Sequence, residues 1–394
     1  MNESTTSVLI SSPEGVLAVL VAVVAFWFWL ARVTGWKLFS YLVPLIWIYA
    51  TPMALNNAGV IPAASPVYDA LRQFGLPIFI CLMLISIDVG AAVRVMGKGV
   101  AVMLLGTAGV VLGAPVGYFV VRGWLAPDAW KGFGALAGSW IGGTGNMAAV
   151  AGALETPPEL FGLAALADNA VYVVWLPLLL ASKAFADQFN RWTRVADDRL
   201  EKMEAAAAQE AREEKVPQML DYVYLAFLAA GATWLAAALA PRIPEIEPIL
   251  STGTWKILLI TTFGILLSLT PARRLSGSHN LAMALVYVFV AGIGARASLA
   301  GIGQAPAFLA GAFIWIFVHG AFCLFGAWLF RVDVHSAAIA SAANIGGAAS
   351  APVVAAAHRE SLVPASILMA LIGYALGNYL ALLAAQLCRM VGGV

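Results

Sequence analysis

The sequence has little charge for its length. Only 11% of its 394 residues are Asp, Glu, Lys or Arg, whereas 62% are hydrophobic. Ordinary soluble domains carry roughly 25% charged residues. So few charges cannot cover the surface of a globule in water, which excludes a soluble domain. The formal net charge of +1 gives no electrostatic indication of a nucleic-acid partner, and we expect none.

Cysteine and histidine are scarce as well. The three cysteines, Cys81, Cys323 and Cys388, each lie in an apolar stretch, which favours small buried hydrophobic residues over redox centres or metal ligands. No spacing of His, Cys and acidic residues resembles a zinc site. Ser139 lies in no G-x-S-x-G motif and has no evident triad partners. We therefore expect no enzymatic activity and no cofactor other than a sodium ion.

Long apolar runs are abundant instead. Many approach the ~20 residues that a helix needs to cross a bilayer. In lipid the backbone must satisfy its own hydrogen bonds, so these runs should be helices. The sequence predicts an all-α polytopic membrane protein, anchored in lipid. Apolar segments are expected near residues 15–31, 38–55, 75–93, 99–121, 132–154, 160–182, 218–240, 255–270, 280–297, 307–330, 335–357 and 363–387.

The two series of segments resemble copies of one unit displaced by about 204 positions. Ile141-Gly142-Gly143 matches Ile345-Gly346-Gly347, and the glycine-interrupted segment is the fifth in each series. We predict three parts: a first transmembrane repeat over 1–182, a charged linker helix over 183–217, and a second repeat over 218–394. The helix-favouring run of the linker spans 199–215.

The number of crossings per repeat stays open at this point. If both glycine-interrupted segments re-enter and the N-terminus is outside, 15 of the 22 Lys and Arg residues lie inside. Twelve full crossings with the N-terminus inside place about 14 of them inside, so the positive-inside rule does not decide. An odd number of crossings per repeat would invert the second half, and an even number would not.

Two segments depart from the usual transmembrane pattern, 138–146 (GSWIGGTGN) and 341–352 (SAANIGGAASAP). Glycine makes a helix easier to unwind, and Pro352 removes a backbone donor. Interrupted segments at corresponding positions of two halves indicate the binding site of a secondary transporter. Close helix packing through small residues is the alternative, but it leaves the neighbouring polar side chains unexplained. The predicted substrate-binding residues are Ser139, Gly142, Gly143, Gly145, Asn344, Gly346, Gly347 and Ser350.

Asp168 and Asn169 lie in the middle of the segment that follows the first interrupted one. A carboxylate at bilayer depth is costly and is by default a functional hypothesis. We predict that Asp168 couples transport to a proton or a sodium ion, with Asn169, Thr144 and Asn146 around it. The alternative is a hydrogen bond that ties two helices together. His319 could relay protons, or it could be a packed core residue.

The run 138–146, followed by Ala167-Asp168-Asn169 and by 174–177 (VWLP), resembles the bacterial domain-of-unknown-function 819 membrane family over nearly the whole chain. That family is similar to the superfamily of cation/proton antiporters and bile-acid/sodium symporters. The resemblance implies panel and core domains, two broken helices that cross in the core, and an elevator-like motion. It also implies an acidic residue where Asp168 lies, whereas Asn169 replaces a second acid of the electrogenic sodium/proton antiporters.

Together these features favour an ion-coupled secondary active transporter of a small, anionic organic solute in a bacterial inner membrane. Its expected partners are that solute and a coupling cation. The sequence is also compatible with a homodimer. A cation/proton antiporter without an organic substrate is the first alternative. An intramembrane enzyme or a scaffold is the second.

Overall fold

The computed structural model describes residues 8–36, 38–41, 44–196, 203, 205–206, 216–246, 249–298 and 303–393. These parts of the chain are helical and contain no β-strand. Eight helices within these described ranges are long and apolar enough to cross a membrane. The prediction of an all-α polytopic membrane protein is therefore confirmed.

The helices follow one another in two similar series. The first contains α1 (Pro13–Thr34), α2 (Pro44–Asn57), α3 (Pro66–Leu84), α4 (Val89–Met96), α5 (Lys98–Val121), α6 (Ala129–Ala153) and α7 (Pro158–Ala181). After α8 (Ala186–Thr193), the second contains α9 (Met219–Leu239), α10 (Thr252–Ser268), α11 (Ser278–Ala295), α12 (Ala305–Phe330), α13 (Val334–Ile345), α14 (Gly347–His358) and α15 (Val363–Gly392).

The third helix begins earlier than the predicted segment 75–93. Ser65 caps α3 by accepting a hydrogen bond from the Val67 amide, and Pro66 occupies the first turn, where its missing N–H is not needed. The helix ends at Leu84, and Asp88 caps the separate helix α4 by accepting from the Ala91 amide at 3.0 Å. The prediction missed the early start because residues 66–75 are more polar than the run that follows. It missed the break because residues 85–88 lie within an apolar run.

The linker prediction falls mostly outside the described residues. Of the run 199–215, only residues 203, 205 and 206 are described. Met203 is buried at 5% exposure, and its sulfur lies 3.5 Å from Ser336 Oγ. At this position the linker packs against the start of α13.

Helix α6 folds back on itself. Gly142 (φ −137°, ψ 15°) and Gly143 (φ 75°, ψ −175°) interrupt the helical backbone. A β-carbon added to Gly138 would lie 3.1 Å from the α-carbon of Met147, and one added to Gly134 would lie 2.8 Å from the Leu154 side chain. A straight helix would keep these residues far apart, so α6 is a re-entrant hairpin with its tip at the glycine pair. We call it hairpin 1.

Helices α13 and α14 form a second re-entrant hairpin, over 334–358, which we call hairpin 2. Gly346 (φ −120°) and Gly347 (φ 59°) lie at its tip. At its base the Nδ1 atoms of His335 and His358 are 3.0 Å apart. Each arm has 12 residues and rises about 18 Å. That depth is roughly half of the ~30 Å hydrocarbon core.

The two hairpins enter from opposite ends of α7. Hairpin 1 ends just before α7 begins at Pro158. At the other end of α7, the Leu179 carbonyl accepts a 2.9 Å hydrogen bond from His358 Nε2 at the base of hairpin 2. Helix α7 has 24 residues, about 36 Å, which is long enough to cross the membrane. We name the two sides the N-terminal face, where α1 and α7 begin, and the linker face, where α7 ends.

This arrangement resolves the crossing number. Each series has five helices that run between the faces and one hairpin that does not. In the first series α2 returns the chain to the N-terminal face, since the amides of Leu9 and Ile10, before α1, donate to the carbonyls of Gly59 and Val60, after α2. Five crossings per series place the second series in the opposite orientation. The hairpins also differ from the crossing broken helices that the superfamily resemblance implied.

The helices pack in two groups. One group contains α1, α2, α3, α9, α10 and α11, and the other contains the two hairpins with α5, α7, α12 and α15. In the second group α5 and α12 lie very close, because a β-carbon on Gly117 would come within 2.4 Å of the Gly311 carbonyl and one on Gly113 within 2.4 Å of Trp315. Small residues thus hold the group that carries the hairpins tightly together.

Candidate functional site

The tips of the two hairpins meet. A β-carbon added to Gly347 would lie 3.6 Å from the α-carbon of Gly143. Both glycines have positive φ, 75° and 59°, a conformation that side chains with a β-carbon rarely adopt. The second arm of each hairpin begins at its tip, so two helix N-termini converge there.

Tyr374 of α15 covers both tips. Its Cε1 atom would lie 3.3 Å from a β-carbon on Gly143 and 3.5 Å from one on Gly347. The ring is buried at 6% exposure. Its hydroxyl would lie 3.7 Å from a β-carbon on Gly347 and 3.9 Å from one on Gly143. A residue of a crossing helix therefore closes the junction between the tips.

Asp168 lies in the middle of α7 and binds the first arm of hairpin 1. Its Oδ2 accepts from Ser139 Oγ at 2.9 Å, and its Oδ1 accepts from Trp140 Nε1 at 2.9 Å. Ser139 and Trp140 precede the tip at Gly142 by one turn. A carboxylate can accept about four hydrogen bonds, so each oxygen retains a site for a proton or a cation.

Tyr172 connects Asp168 with hairpin 2. It follows Asp168 by one helical turn on α7, which places both side chains on the same face. A β-carbon on Gly346 would lie 3.2 Å from the Tyr172 ring and 2.1 Å from Ser350 Oγ. Tyr172 and Ser350 therefore both lie beside Gly346. Helix α7 thus contacts hairpin 1 through Asp168 and hairpin 2 through Tyr172.

Asn146 and Ser350 occupy equivalent places, each three residues after its tip glycine. Asn146 is fully buried and points to α15, where its Nδ2 donates to the Tyr374 carbonyl at 3.1 Å and to Asn378 Oδ1 at 3.0 Å. Its Oδ1 is buried and accepts no hydrogen bond from any described residue. This oxygen faces Gly142, since a β-carbon there would lie 2.5 Å from it.

The structure brings only some of the predicted site residues together. It joins Asp168 to Ser139 and places Asn169, buried at 5% exposure, beside it on α7. Thr144 is partly buried at the tip of hairpin 1. Asn146 instead bonds to α15, on a different side of the hairpin from the Asp168 contacts.

Two other predicted residues serve packing contacts. Gly145 lies against α3, because a β-carbon there would come within 2.4 Å of the Met83 sulfur. The Asn344 carboxamide lies 2.7 Å from Thr107 Oγ1 of α5. Neither contact involves Asp168, and both attach a hairpin to a neighbouring helix.

His319 lies in a closed network of hydrogen bonds. Its Nδ1 is 2.9 Å from the Gly106 carbonyl, which can only accept, so Nδ1 carries the hydrogen. Its Nε2 is 2.9 Å from Ser341 Oγ, which also accepts from Trp175 Nε1 at 2.9 Å. Every polar atom of the network is satisfied with a neutral imidazole. The network joins α5, α7 and α12 to the first arm of hairpin 2, which favours the packed-core interpretation of His319.

Three residues of the site were not predicted. Trp140 donates to Asp168, Tyr172 lies beside Gly346, and Tyr374 covers both tips. The spacing of Tyr172 from Asp168, one helical turn, was a signal available in the sequence. Tyr374 had none, because only the packing of α15 against the hairpins brings it to the tips. Among the described residues, no group of three His, Cys, Asp or Glu could hold a metal ion.

Comparison with known proteins identifies a family. Residues 18–391 match the model of the family described as a protein of unknown function (DUF819). The chain is 30% identical over 344 residues to an uncharacterized membrane protein, YjcL, of Bacillus subtilis (strain 168). The aligned region covers 84% of this chain and 86% of the relative. The predicted resemblance to this family is confirmed over most of the sequence.

Proposed function

We propose that this chain, which belongs to the DUF819 family, is a secondary active transporter of a small solute coupled to a sodium ion or a proton. One observation carries the proposal: two re-entrant hairpins enter from opposite faces and meet at Gly143 and Gly347. Irregular backbone at membrane depth is tolerated where it lines a cavity or is buried in protein. Paired interruptions in oppositely oriented halves are the arrangement found at transporter binding sites.

The solute is an anion in this proposal. The second arms of both hairpins begin at the tips, so their N-terminal amides and positive dipole ends point to one place. Helix N-termini of this kind bind carboxylates and phosphates. Ser350 and Thr144, near the two tips, supply hydroxyl groups for the same ligand.

Asp168 is the coupling residue in this proposal. It is placed within one turn of the tip of hairpin 1 through Ser139 and Trp140. A cation or proton at Asp168 would neutralise a charge that is costly at this depth. The unpartnered Oδ1 of Asn146 is a further oxygen ligand near the tip. A cation that binds one conformation better shifts the equilibrium between conformations.

We further propose that the hairpin group moves against the other group, as panel and core domains do in elevator-like transport. In the described residues, polar contacts between the groups lie between α10 and α15, where Asn378 Nδ2 donates to Thr261 Oγ1 at 2.8 Å, and at the base of hairpin 1. Arg72 pairs with Glu155, Tyr49 donates to the Pro158 carbonyl at 2.6 Å, and Thr254 donates to the Ala153 carbonyl at 3.1 Å. These bonds would have to break if hairpin 1 moved.

The linker face is proposed to lie in the cytoplasm of a bacterial inner membrane. Five crossings per series place ten of the 17 described Lys and Arg residues at or near that face. Basic residues concentrate on the cytoplasmic side of membrane proteins. The N-terminus would then lie outside.

The test is a solute screen on purified protein. Thermal stability in detergent would be measured against small carboxylates, phosphates, amines and neutral solutes, each with sodium and with potassium. Candidates would then be tested for uptake into proteoliposomes with a sodium or a proton gradient. We expect uptake of one anionic solute that requires one gradient. Cation exchange without any organic solute would indicate an antiporter, and chemical conversion of a lipid would indicate an enzyme.

A bifunctional thiol reagent tests the motion. In a cysteine-free background, Arg72→Cys with Glu155→Cys places one thiol on each group of helices. Cross-linking this pair should stop uptake, and cleavage of the cross-link should restore it. The single variants treated with the same reagent are the matched controls. Full uptake by the cross-linked protein would contradict the motion.

A further inference from the structure

A cavity lies at the linker face, far from the hairpin tips. It has a volume of about 790 Å³, opens to the surface, and is bounded by the base of hairpin 2, by α8 and by the turn between α7 and α8. Four basic side chains line it: Lys183, Arg191, Arg194 and Arg359. Lys183 comes from the turn after α7, Arg191 and Arg194 come from α8 and its C-cap, and Arg359 follows hairpin 2.

We infer that this cavity binds a phosphate-bearing anion. Its lining contains two carboxylates, Asp187 and Asp333, against four cations, so the net charge of the lining is positive. The carboxylate of Asp333 caps α13, with Oδ1 accepting from the Ser336 amide and Oδ2 from Ser336 Oγ, both at 2.8 Å. Guanidinium groups match phosphate oxygens with paired hydrogen bonds, and lysine adds a point charge.

The walls of the cavity are held in place by hydrogen bonds. Lys183 Nζ donates to the Ala357 carbonyl at 2.7 Å, which joins the turn after α7 to the end of hairpin 2. Asn190 Oδ1 accepts from the Val334 amide at 3.0 Å, which joins α8 to the beginning of hairpin 2. These contacts distinguish the cavity from a set of unrelated surface cations.

The floor of the cavity contains His335 and His358, which are both buried. Since the Leu179 carbonyl can only accept, His358 Nε2 carries a hydrogen. In the neutral ring His358 Nδ1 is then an acceptor, and His335 Nδ1 donates to it over 3.0 Å. This pair joins the two ends of hairpin 2 and lines the same cavity as the four cations.

The phosphate could belong to a soluble anion or to the headgroup of an acidic phospholipid, since the cavity lies where the helices leave the membrane. The experiment therefore has two arms. In the first, purified protein in a neutral detergent is titrated with inorganic pyrophosphate at constant ionic strength, and affinity is measured by calorimetry. In the second, phosphatidylglycerol that remains bound after purification is counted by native mass spectrometry.

The variant for both arms is the double substitution Arg191→Gln with Arg359→Gln. Both side chains are exposed, so the unliganded melting temperature should stay unchanged. The matched control is Arg242→Gln, an exposed arginine at the N-terminal face. We expect the double variant to lose at least about tenfold in pyrophosphate affinity, or most of its bound phosphatidylglycerol, whereas the control keeps both.

If the double variant loses pyrophosphate affinity, the ligand of the cavity is a soluble phosphate compound. If it loses bound phosphatidylglycerol, the ligand is a lipid headgroup. Binding that is absent from both arms in the natural protein would overturn the inference. An equal loss in Arg242→Gln would overturn it too, because binding would then follow overall charge and not this cavity. Neither arm depends on transport, so the result is independent of the proposed function.

Discussion

Trp140 Nε1 donates to Asp168 Oδ1 over 2.9 Å, and the indole nitrogen cannot accept a hydrogen bond. The hydroxyl of Ser139, which donates to the other carboxylate oxygen at 2.9 Å, can act either way. This difference between the two partners decides how Asp168 can be tested. An Asn at this position can accept from Trp140 with its oxygen and donate to Ser139 with its nitrogen.

We therefore expect Asp168→Asn to fold with a stability within about 1 kcal/mol of the natural protein, since every hydrogen bond is kept. Uptake of the solute found by the screen should lose its dependence on sodium or protons. The measurements are thermal unfolding in detergent and uptake into proteoliposomes with and without the ion gradient. Asp168→Ala is the comparison, because it leaves the Trp140 donor unpaired. Normal folding together with undiminished ion dependence would make Asp168 a structural residue.

The two tip glycines give a second prediction. Gly143 lies in a region of φ and ψ that is almost restricted to glycine, and Gly347 is left-handed. Alanine should destabilise by about 1–3 kcal/mol at Gly143 and by about 1–2 kcal/mol at Gly347.

The measurement for the tip glycines is the melting temperature of each variant in one detergent. Gly231→Ala in α9 is the matched control, since no atom lies within 4 Å of the added β-carbon. That change should be neutral or stabilising by up to about 1 kcal/mol. Equal melting temperatures for all three variants would contradict the strained tips.

A third prediction concerns His319. His319→Asn can keep the donor to the Gly106 carbonyl but removes the acceptor that faces Ser341. We expect a loss of about 1–3 kcal/mol in the free energy of unfolding, the range for a buried group left without its partner. The pH dependence of uptake should not change. If uptake loses its pH dependence while stability is unaffected, His319 is a proton relay after all.

The opposite entry of the two hairpins gives a fourth prediction. Asp128 lies just before hairpin 1 and Glu360 just after hairpin 2, and both are exposed. The three natural cysteines are buried, so a membrane-impermeant maleimide should not react with them. A membrane-impermeant maleimide should label Asp128→Cys in intact cells and should label Glu360→Cys only after permeabilisation. Labelling of both from the outside would contradict the inverted arrangement.

The sequence allowed the positions of the hairpin tips to be predicted but not their shape. The glycine pairs at 142–143 and 346–347 stand out because glycine and polar residues are unusual within apolar segments. A segment of some 23 residues, such as 132–154, is as long as a normal crossing. Only contacts such as that between Gly134 and Leu154 distinguish re-entry from crossing. Such contacts depend on how the arms pack and have no local sequence signal.

The candidate site was predicted in part for a similar reason. Asp168 was identifiable because a carboxylate in an apolar segment is costly, whatever surrounds it. Its partners were harder to choose, since Thr144 and Asn146 are as close to the glycines in sequence as Ser139 is. The fold selects Ser139 because the first arm of hairpin 1 faces α7, whereas Asn146 on the second arm faces α15.

The second helix of the second series has a consequence for the surrounding bilayer. Helix α10 has 17 residues and so spans about 26 Å, less than the ~30 Å of a typical hydrocarbon core. It belongs to the group of helices without hairpins. The bilayer next to it must become thinner to match. A thinner annulus on that side would shorten the path that a solute at the hairpin tips must travel to reach water.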